Sequence, residues 1–386
     1  MLRKRTKHGP IGLDIGASSL KMLQFSEEGT EPTLLAAAHC QLPPLDDNPA
    51  TRDAAIERAV AQALRQHPFQ GRDAVAALAC REFQMKSIRL PRMPAEEMAS
   101  AVGFEAQERF GVTEGGTQIR HIVAGEVRHG NELKEEVIVF ATPDDLVQAR
   151  LKLLETLKLR PLAIDITPCA VARCFFRFLR RAEDVHTVNV FLDVGWRGTS
   201  IVLTRGTELS FLKTIDVGGE HFNEAVAKAL SISREEAAEL RIRIMRDASR
   251  QRADDKVTVS GEVRATVTDA VRPLIERISR DVQMCLRYFA VTFRGQRPKS
   301  LTLVGGEAHE PSIFQSIGGA IDIPCTIGNP LRGMSLSGNI GGRDQRAFQP
   351  AWVVACGLSL RGSRWVRTSG ARPESSQLRP AAALGV

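Results

Sequence analysis

Along the 386-residue chain, short apolar runs alternate with longer segments in which apolar residues recur every three or four positions. The runs predict strands and the spaced segments predict amphipathic helices. The first run, Ile11-Gly12-Leu13-Asp14-Ile15, breaks at Gly16, and residues 32–40 and 73–80 read as further strands. Residues 42–51, rich in Pro and Asp, read as a connector. Residues 52–65 predict a helix, because Ala55, Ile56, Ala59, Val60, Ala63 and Leu64 fall on one face. The texture changes near Arg81. A strand over 87–91 precedes a helix that opens at Pro94, carries Glu96 and Glu97 in its first turn and ends at Gly111. Strands over 119–127 and 137–142 are joined across His129-Gly130-Asn131, and a helix covers 144–157.

Residues 161–166 return to strand character, with a helix over 168–181. The opening logic then repeats: an apolar run to Asp193, a glycine loop, a strand over 200–204, a turn at Arg205-Gly206-Thr207 and another strand. Gly218-Gly219 precedes a helix over 221–230, and Ser233-Arg234-Glu235-Glu236 reads as a capping box. Residues 270–293 predict one long helix on Leu274, Ile278, Val282 and Leu286, residues 294–299 a turn, and residues 352–360 a closing helix. No fixed short period appears, which excludes a solenoid. The pattern predicts an α/β fold built from two similar halves with an α+β insertion. Residues 1–80 form the first lobe, 81–160 the insertion, 161–186 a return to the first lobe, 187–350 the second lobe and 351–362 the closing helix. The Ser-, Pro- and Arg-rich residues 363–386 read as a disordered tail.

Composition narrows the class. Hydrophobic residues make up 43% and charged residues 25%, ordinary for a globular chain of this size. No apolar run reaches the length of a transmembrane helix. The basic start, residues 1–7, imitates the head of a signal peptide, but Asp14 interrupts the apolar stretch that follows and no cleavage site appears. The expectation is a cytoplasmic protein without direct membrane insertion. The seven cysteines form no Cys-x-x-Cys pair and the eight histidines are scattered, which argues against a zinc-type site. A net charge of +7 raises the question of nucleic acid, but with 5% aromatic residues and a single Tyr there are few stacking platforms, and none is expected. Arginine is densest at Arg241, Arg243, Arg246, Arg250 and Arg252, either a solvated helix face or a surface for an anionic membrane or acidic partner.

The chemistry concentrates in three glycine-rich stretches. The first is Asp14-Ile15-Gly16-Ala17-Ser18-Ser19-Leu20-Lys21, the second Asp193-Val194-Gly195-Trp196-Arg197-Gly198-Thr199, and the third Gly305-Gly306-Glu307 after Leu301-Thr302-Leu303-Val304. A strand ending in a carboxylate before a small, hydroxyl-bearing loop suits a metal–phosphate group. The Asp holds Mg²⁺ through oxygen and water, and the glycines let backbone N–H groups approach phosphate. Asp14 and Asp193 are therefore the candidate metal ligands. In this order the stretches resemble the phosphate 1, phosphate 2 and adenosine elements of the actin-like ATPase superfamily, which includes actin, Hsp70 chaperones, sugar kinases, FtsA and PilM.

Within that superfamily the chain looks most like the PilM family of type IV pilus assembly, over residues 11–361. The likeness is carried by the first loop, by Glu105-Ala106 in its helix, and by Leu159-Arg160-Pro161-Leu162-Ala163-Ile164-Asp165. It continues in Phe211-Leu212-Lys213-Thr214-Ile215-Asp216-Val217-Gly218-Gly219, Ser231-Ile232-Ser233-Arg234-Glu235-Glu236, Asn329-Pro330-Leu331 and Cys356-Gly357-Leu358. The resemblance implies a two-lobed actin-like fold of duplicated ribonuclease H-like domains with a small FtsA/PilM-type subdomain. It implies ATP and Mg²⁺ in the cleft, held by Gly16, Ala17, Ser18, Ser19, Lys21, Gly195, Trp196, Arg197, Gly198, Thr199, Gly218, Gly219, Glu239, Arg241, Gly305, Gly306 and Glu307. It also implies a partner, the cytoplasmic N-terminal tail of a PilN-like inner-membrane protein, docked between the first lobe and the subdomain, and leaves self-association open.

Two positions depart from the family pattern. Arg241 stands where an adenosine-contacting Lys is usual. Thr167-Pro168 stands where hydrolysing relatives carry Glu-Pro, so Thr167 is at best a weak candidate for positioning water. ATP binding with weak or absent hydrolysis is expected. The alternatives are another actin-like module (a type II secretion platform component or an FtsA-like division protein) and a sugar-kinase-like phosphotransferase.

Overall fold

The computed structural model describes residues 8–29, 31–43, 49–111, 115–129, 132–249, 259–293, 297–336 and 349–366. The basic start, Gly130-Asn131 of the turn after His129, much of the 42–51 connector, residues 294–296 of the 294–299 turn, and the tail beyond Val366 lie outside these residues.

The apolar runs become strands in the places their patterning dictates. The first lobe opens with β1 (Ile11–Ile15), β2 (Ser19–Ser26), β3 (Thr33–Gln41), α1 (Pro49–Gln66) and β4 (Asp73–Leu78). The chain then leaves this sheet for β5 (Gln84–Pro91), α2 (Ala95–Phe110), β6 (Thr117–His129) and β7 (Glu132–Pro143). It comes back through α3 (Asp144–Thr156), β8 (Arg160–Ile166) and α4 (Thr167–Phe176). The second lobe runs β9 (Val188–Val194), β10 (Thr199–Arg205), β11 (Glu208–Ile215), α5 (Gly219–Leu230), α6 (Arg234–Ser249), α7 (Gly261–Thr292), β12 (Ser300–Val304), α8 (Pro311–Ala320) and β13 (Cys325–Ile327). The short β14 (Ser335–Leu336) and α9 (Val353–Ser359) return to the first lobe.

Duplication is explicit in the topology. The first sheet reads β14-β3-β2-β1-β4-β8 and the second β11-β10-β9-β12-β13. Apart from the added β14, each has two successive antiparallel pairings on one side of its opening strand and two successive parallel pairings on the other. Both also carry a register shift at the same joint, between Gln24 and Phe25 and between Leu203 and Thr204. The lobes share one apolar core, whereas the three-stranded sheet β5-β7-β6 and α2 have their own, built on Ile88, Leu90, Met98, Val102, Ala106, Val137 and Val139.

Several elements differ from expectation. The long helix starts at Gly261 rather than 270 and runs through Pro273, with the Ser260 hydroxyl accepting from Val263 N at 3.3 Å. An interior Pro costs about 3 kcal/mol, but burial of Val267, Val271, Ile275 and Ile278 on one stripe outweighs it. The helix expected over 168–181 stops at Phe176, and the closing helix begins at Val353 after a 3-10 turn. The closing helix reaches its seat because glycines remove two obstructions. A Cβ on Gly12 would overlap the Ala355 carbonyl, and one on Gly357 would overlap the Ala170 carbonyl of α4.

Candidate functional site

The two strand–loop–strand units are built alike. Asp14 pairs with Lys21 across β1–β2, and Asp193 pairs with Ser200 across β9–β10. In the first loop Gly16 N donates to Ser19 O at 2.9 Å, and in the second Gly195 N donates to Gly198 O at 3.0 Å. Both loops open into one cleft of about 2290 Å³ between the lobes, which Gly305, Gly306 and Glu307 also line.

The backbone around the second loop is packed too closely for any side chain. A Cβ on Gly218 would stand 2.5 Å from Gly195 O and 2.6 Å from Trp196 O. Gly305, at φ +96°, would bring a Cβ 2.5 Å from an Asp193 carboxylate oxygen. Gly219 N and Glu220 N donate to Gly195 O and Trp196 O at 3.0 and 2.8 Å, Thr199 Oγ1 donates to Val217 O at 2.7 Å, and Arg197 Nε donates to Glu220 at 2.9 Å. Gly218 and Gly219 thus brace the loop from behind and are not part of the cleft wall.

The electrostatics are those of a cation site. Burial, then the charge of Asp14, push the Asp193 carboxyl up to about 7, with Lys21 opposing. Burial also raises Asp14, against the attraction of Lys21, whose Nζ lies 3.7 Å from its carboxylate and donates to Ser19 Oγ at 2.9 Å. Mg²⁺ takes one or two carboxylates and keeps its remaining waters. The paired aspartates and the closely packed glycine backbone fit Mg²⁺ with a polyphosphate.

Arg241 lines the cleft and is also tied into its wall. It is almost fully buried, and its NH2 group donates to Glu307 at 2.6 Å and Glu310 at 2.8 Å. Its NH1 group donates to Asn223 at 2.8 Å, and the guanidinium lies 5.0 Å from the Phe222 ring centre. Burial alone would lower its pKa, but Glu307 and Glu310 outweigh that and hold it charged. Arg241 is the keystone of the wall behind Glu307. Glu239 is exposed and lies off the cleft-facing stripe of α6, which runs through Glu235, Ala238, Arg241, Ile242 and Met245. The helical period, not its nearness to Arg241 in sequence, decides this.

Thr167 does line the cleft. Its hydroxyl lies 3.5 Å from Cys80 Sγ, which also reaches Ser200 Oγ across the cleft at 3.1 Å. Asp165 is held at 2.7 Å by both Arg173 and Arg361; they outweigh the upward push of burial and keep its carboxyl below the ordinary range. It is a structural ion pair. Two lining arginines, Arg52 and Arg150, were not singled out from sequence, although each interrupts an apolar helical stripe: Arg52 before Ile56 and Val60, Arg150 between Leu146 and Leu153.

Two ribonuclease H-like sheets of the same order, placed around a cleft with an Asp loop on each side, define the actin-like ATPase fold. The chain belongs to the type IV pilus assembly protein PilM family, whose model matches residues 12–363. Among solved structures it is similar to a PilM–PilN type IV pilus biogenesis complex, with TM-score 0.74 and 24% identity over 93% of this chain and 99% of that one. It also resembles the ethanolamine utilization protein EutJ from Carboxydothermus hydrogenoformans, with TM-score 0.53 and 13% identity over 92% of this chain and 90% of that one. MreB 5 of Spiroplasma citri, solved bound to AMPPNP, gives TM-score 0.50 and 10% identity over 92% of this chain and 96% of that one.

Proposed function

We propose that this protein is a cytoplasmic ATP-binding scaffold of type IV pilus assembly that recruits the N-terminal tail of a PilN-like inner-membrane protein. The reading is carried by the facing, repeated loops of Asp14 and Asp193, two buried carboxylates of which the charge of Asp14 opposes ionisation of Asp193 until a cation joins them. In this reading Asp14 and Asp193 hold Mg²⁺ through its water shell. The first loop with Lys21 and the second loop take the phosphates, and Gly305, Gly306 and Glu307 face the nucleoside.

Family membership and the likeness to a solved PilM–PilN complex support the partner. An extended tail between the first lobe and the three-stranded unit gains affinity from main-chain pairing and side-chain pockets. Among the described residues no helix is long and apolar enough to cross a membrane, which fits attachment through such a partner.

Turnover is slow or absent in this reading. By its resemblance to hydrolysing relatives, the chain carries Thr167 where they carry a carboxylate that orients water, and Asp165 is spent on Arg173 and Arg361. Calorimetric titration with MgATP tests the site: wild type binds saturably and Asp193→Ala does not. Phosphate release at saturating MgATP stays at the level of Asp14→Ala. A wild type that binds no nucleotide, or that releases phosphate rapidly and loses this in Asp14→Ala, refutes the corresponding half of the proposal.

A further inference from the structure

Among the arginines that line the cleft, three are electrostatically linked: Arg197 from the second loop and Arg150 from α3 both act on Arg52 from α1. Arg52 is almost fully buried and donates to the Gly16 carbonyl at 2.7 Å, so one of the three grips the first loop itself. Burial, then the repulsion of Arg197, lower its pKa; Asp53 opposes this and Arg150 adds to it. Like charges gathered in a recess are relieved by an anion.

Arg150 differs from the other two in what it is tied to. Its NH2 group donates to Glu82 at 2.6 Å, with the arginine side chain 12% exposed. It also acts electrostatically on Asp14. The second Glu82 carboxylate oxygen accepts from Ala79 N at 2.7 Å, and the Glu82 carbonyl accepts from Thr142 Oγ1 at 2.6 Å. Glu82 therefore joins the end of β4 to β7, at the root of the three-stranded unit. Arg150 stands between that root and the first loop.

We propose that Arg150 distinguishes a nucleoside triphosphate from a diphosphate, exchanging Glu82 for the terminal phosphate when it is present. The proposal rests on the reading of the cleft as a nucleotide site. A terminal phosphate offers a guanidinium paired oxygens and more charge than a carboxylate. A diphosphate lacks that group and leaves the Arg150–Glu82 pair in place. The number of phosphates is then registered at the junction between the first lobe and the small unit.

The test is calorimetric titration, with Mg²⁺ present, of ADP and of AMPPNP into wild type, Arg150→Gln and Glu82→Gln. Wild type is expected to prefer AMPPNP. Arg150→Gln is expected to lose about ten- to a hundredfold in AMPPNP affinity, while its ADP affinity stays within about twofold of wild type. Glu82→Gln, which weakens the competing partner, is expected to bind AMPPNP more tightly than wild type. Arg150→Lys keeps the charge without the fork and is expected to fall between wild type and Arg150→Gln, a gradation that follows charge and geometry rather than folding. Equal losses for both nucleotides in Arg150→Gln, or unchanged AMPPNP affinity, overturn the proposal and leave the nucleotide reading standing. A wild type that binds neither nucleotide overturns both.

Discussion

At the scale of the residue, the cleft is a place where stability has been given up. A carboxyl whose folded pKa is raised binds more protons in the native state than in the unfolded one, so its contribution to stability falls as pH rises between the two values. For Asp193 that window runs from the ordinary carboxylate range near 3.8 to about 7. In metal-free buffer with EDTA, the melting temperature should therefore fall from pH 5 to pH 7.5 more steeply in wild type than in Asp193→Asn. At pH 7.5 the variant should melt a few degrees higher while having lost MgATP binding; a variant that melts lower throughout this range would contradict the assignment. Arg241 makes the opposite case. Removing it in Arg241→Ala strands Glu307 and Glu310, each 6% exposed or less, and should cost about 3–5 kcal/mol in urea unfolding. Three of the arginines that line the cleft, Arg52, Arg150 and Arg241, share a mark visible in the sequence: each stands where a helical stripe calls for an apolar residue. What is not visible is the partner that makes such a placement tolerable, because Gly16, Glu82 and Glu307 are brought there by other elements.

At the scale of the element, the loops were legible because their chemistry is local. A strand, a carboxylate and a glycine within a few residues determine one another, and both Asp loops formed at the expected residues. Element ends were less legible. The start of α7 was hidden by Pro273, whose usual place is a first turn, and the register of α6 that turns Glu239 away is a matter of helical phase. The closing helix was visible as a helix but not as a wedge. Its seat depends on two glycines more than 300 residues apart, Gly12 and Gly357, and no local pattern joins them. Gly357→Ala forces a methyl group into the Ala170 carbonyl and should destabilise the protein by at least about 1–3 kcal/mol in urea unfolding, the usual cost of overpacking. The same substitution at Gly318, where an added Cβ meets nothing within 4 Å, should be neutral or mildly stabilising.

At the scale of the whole molecule, the duplicated sheets bring halves of one site from positions 179 residues apart, Asp14 and Asp193. A ligand that touches both lobes stabilises their closed arrangement by mass action. At a hundred times its dissociation constant, MgATP should add about 2.7 kcal/mol. The readout is a single melting transition that moves upward with MgATP in wild type and stays fixed in Asp193→Ala. Separate transitions, only one of which responds, would mean that the ligand is held by one lobe alone.

The seating of α9 also has a consequence for how the chain is made. The first strand is synthesised more than 300 residues ahead of the helix that covers its Gly12 face, which is encoded at residues 353–359. At about 5–20 residues per second, that face waits on the order of tens of seconds for its cover. The second sheet, strands 188–327, is contiguous in the chain and can complete itself first. The first sheet is therefore the one covered last, and a chain that stops after β13 but before α9 carries an intact second sheet beside an open first one.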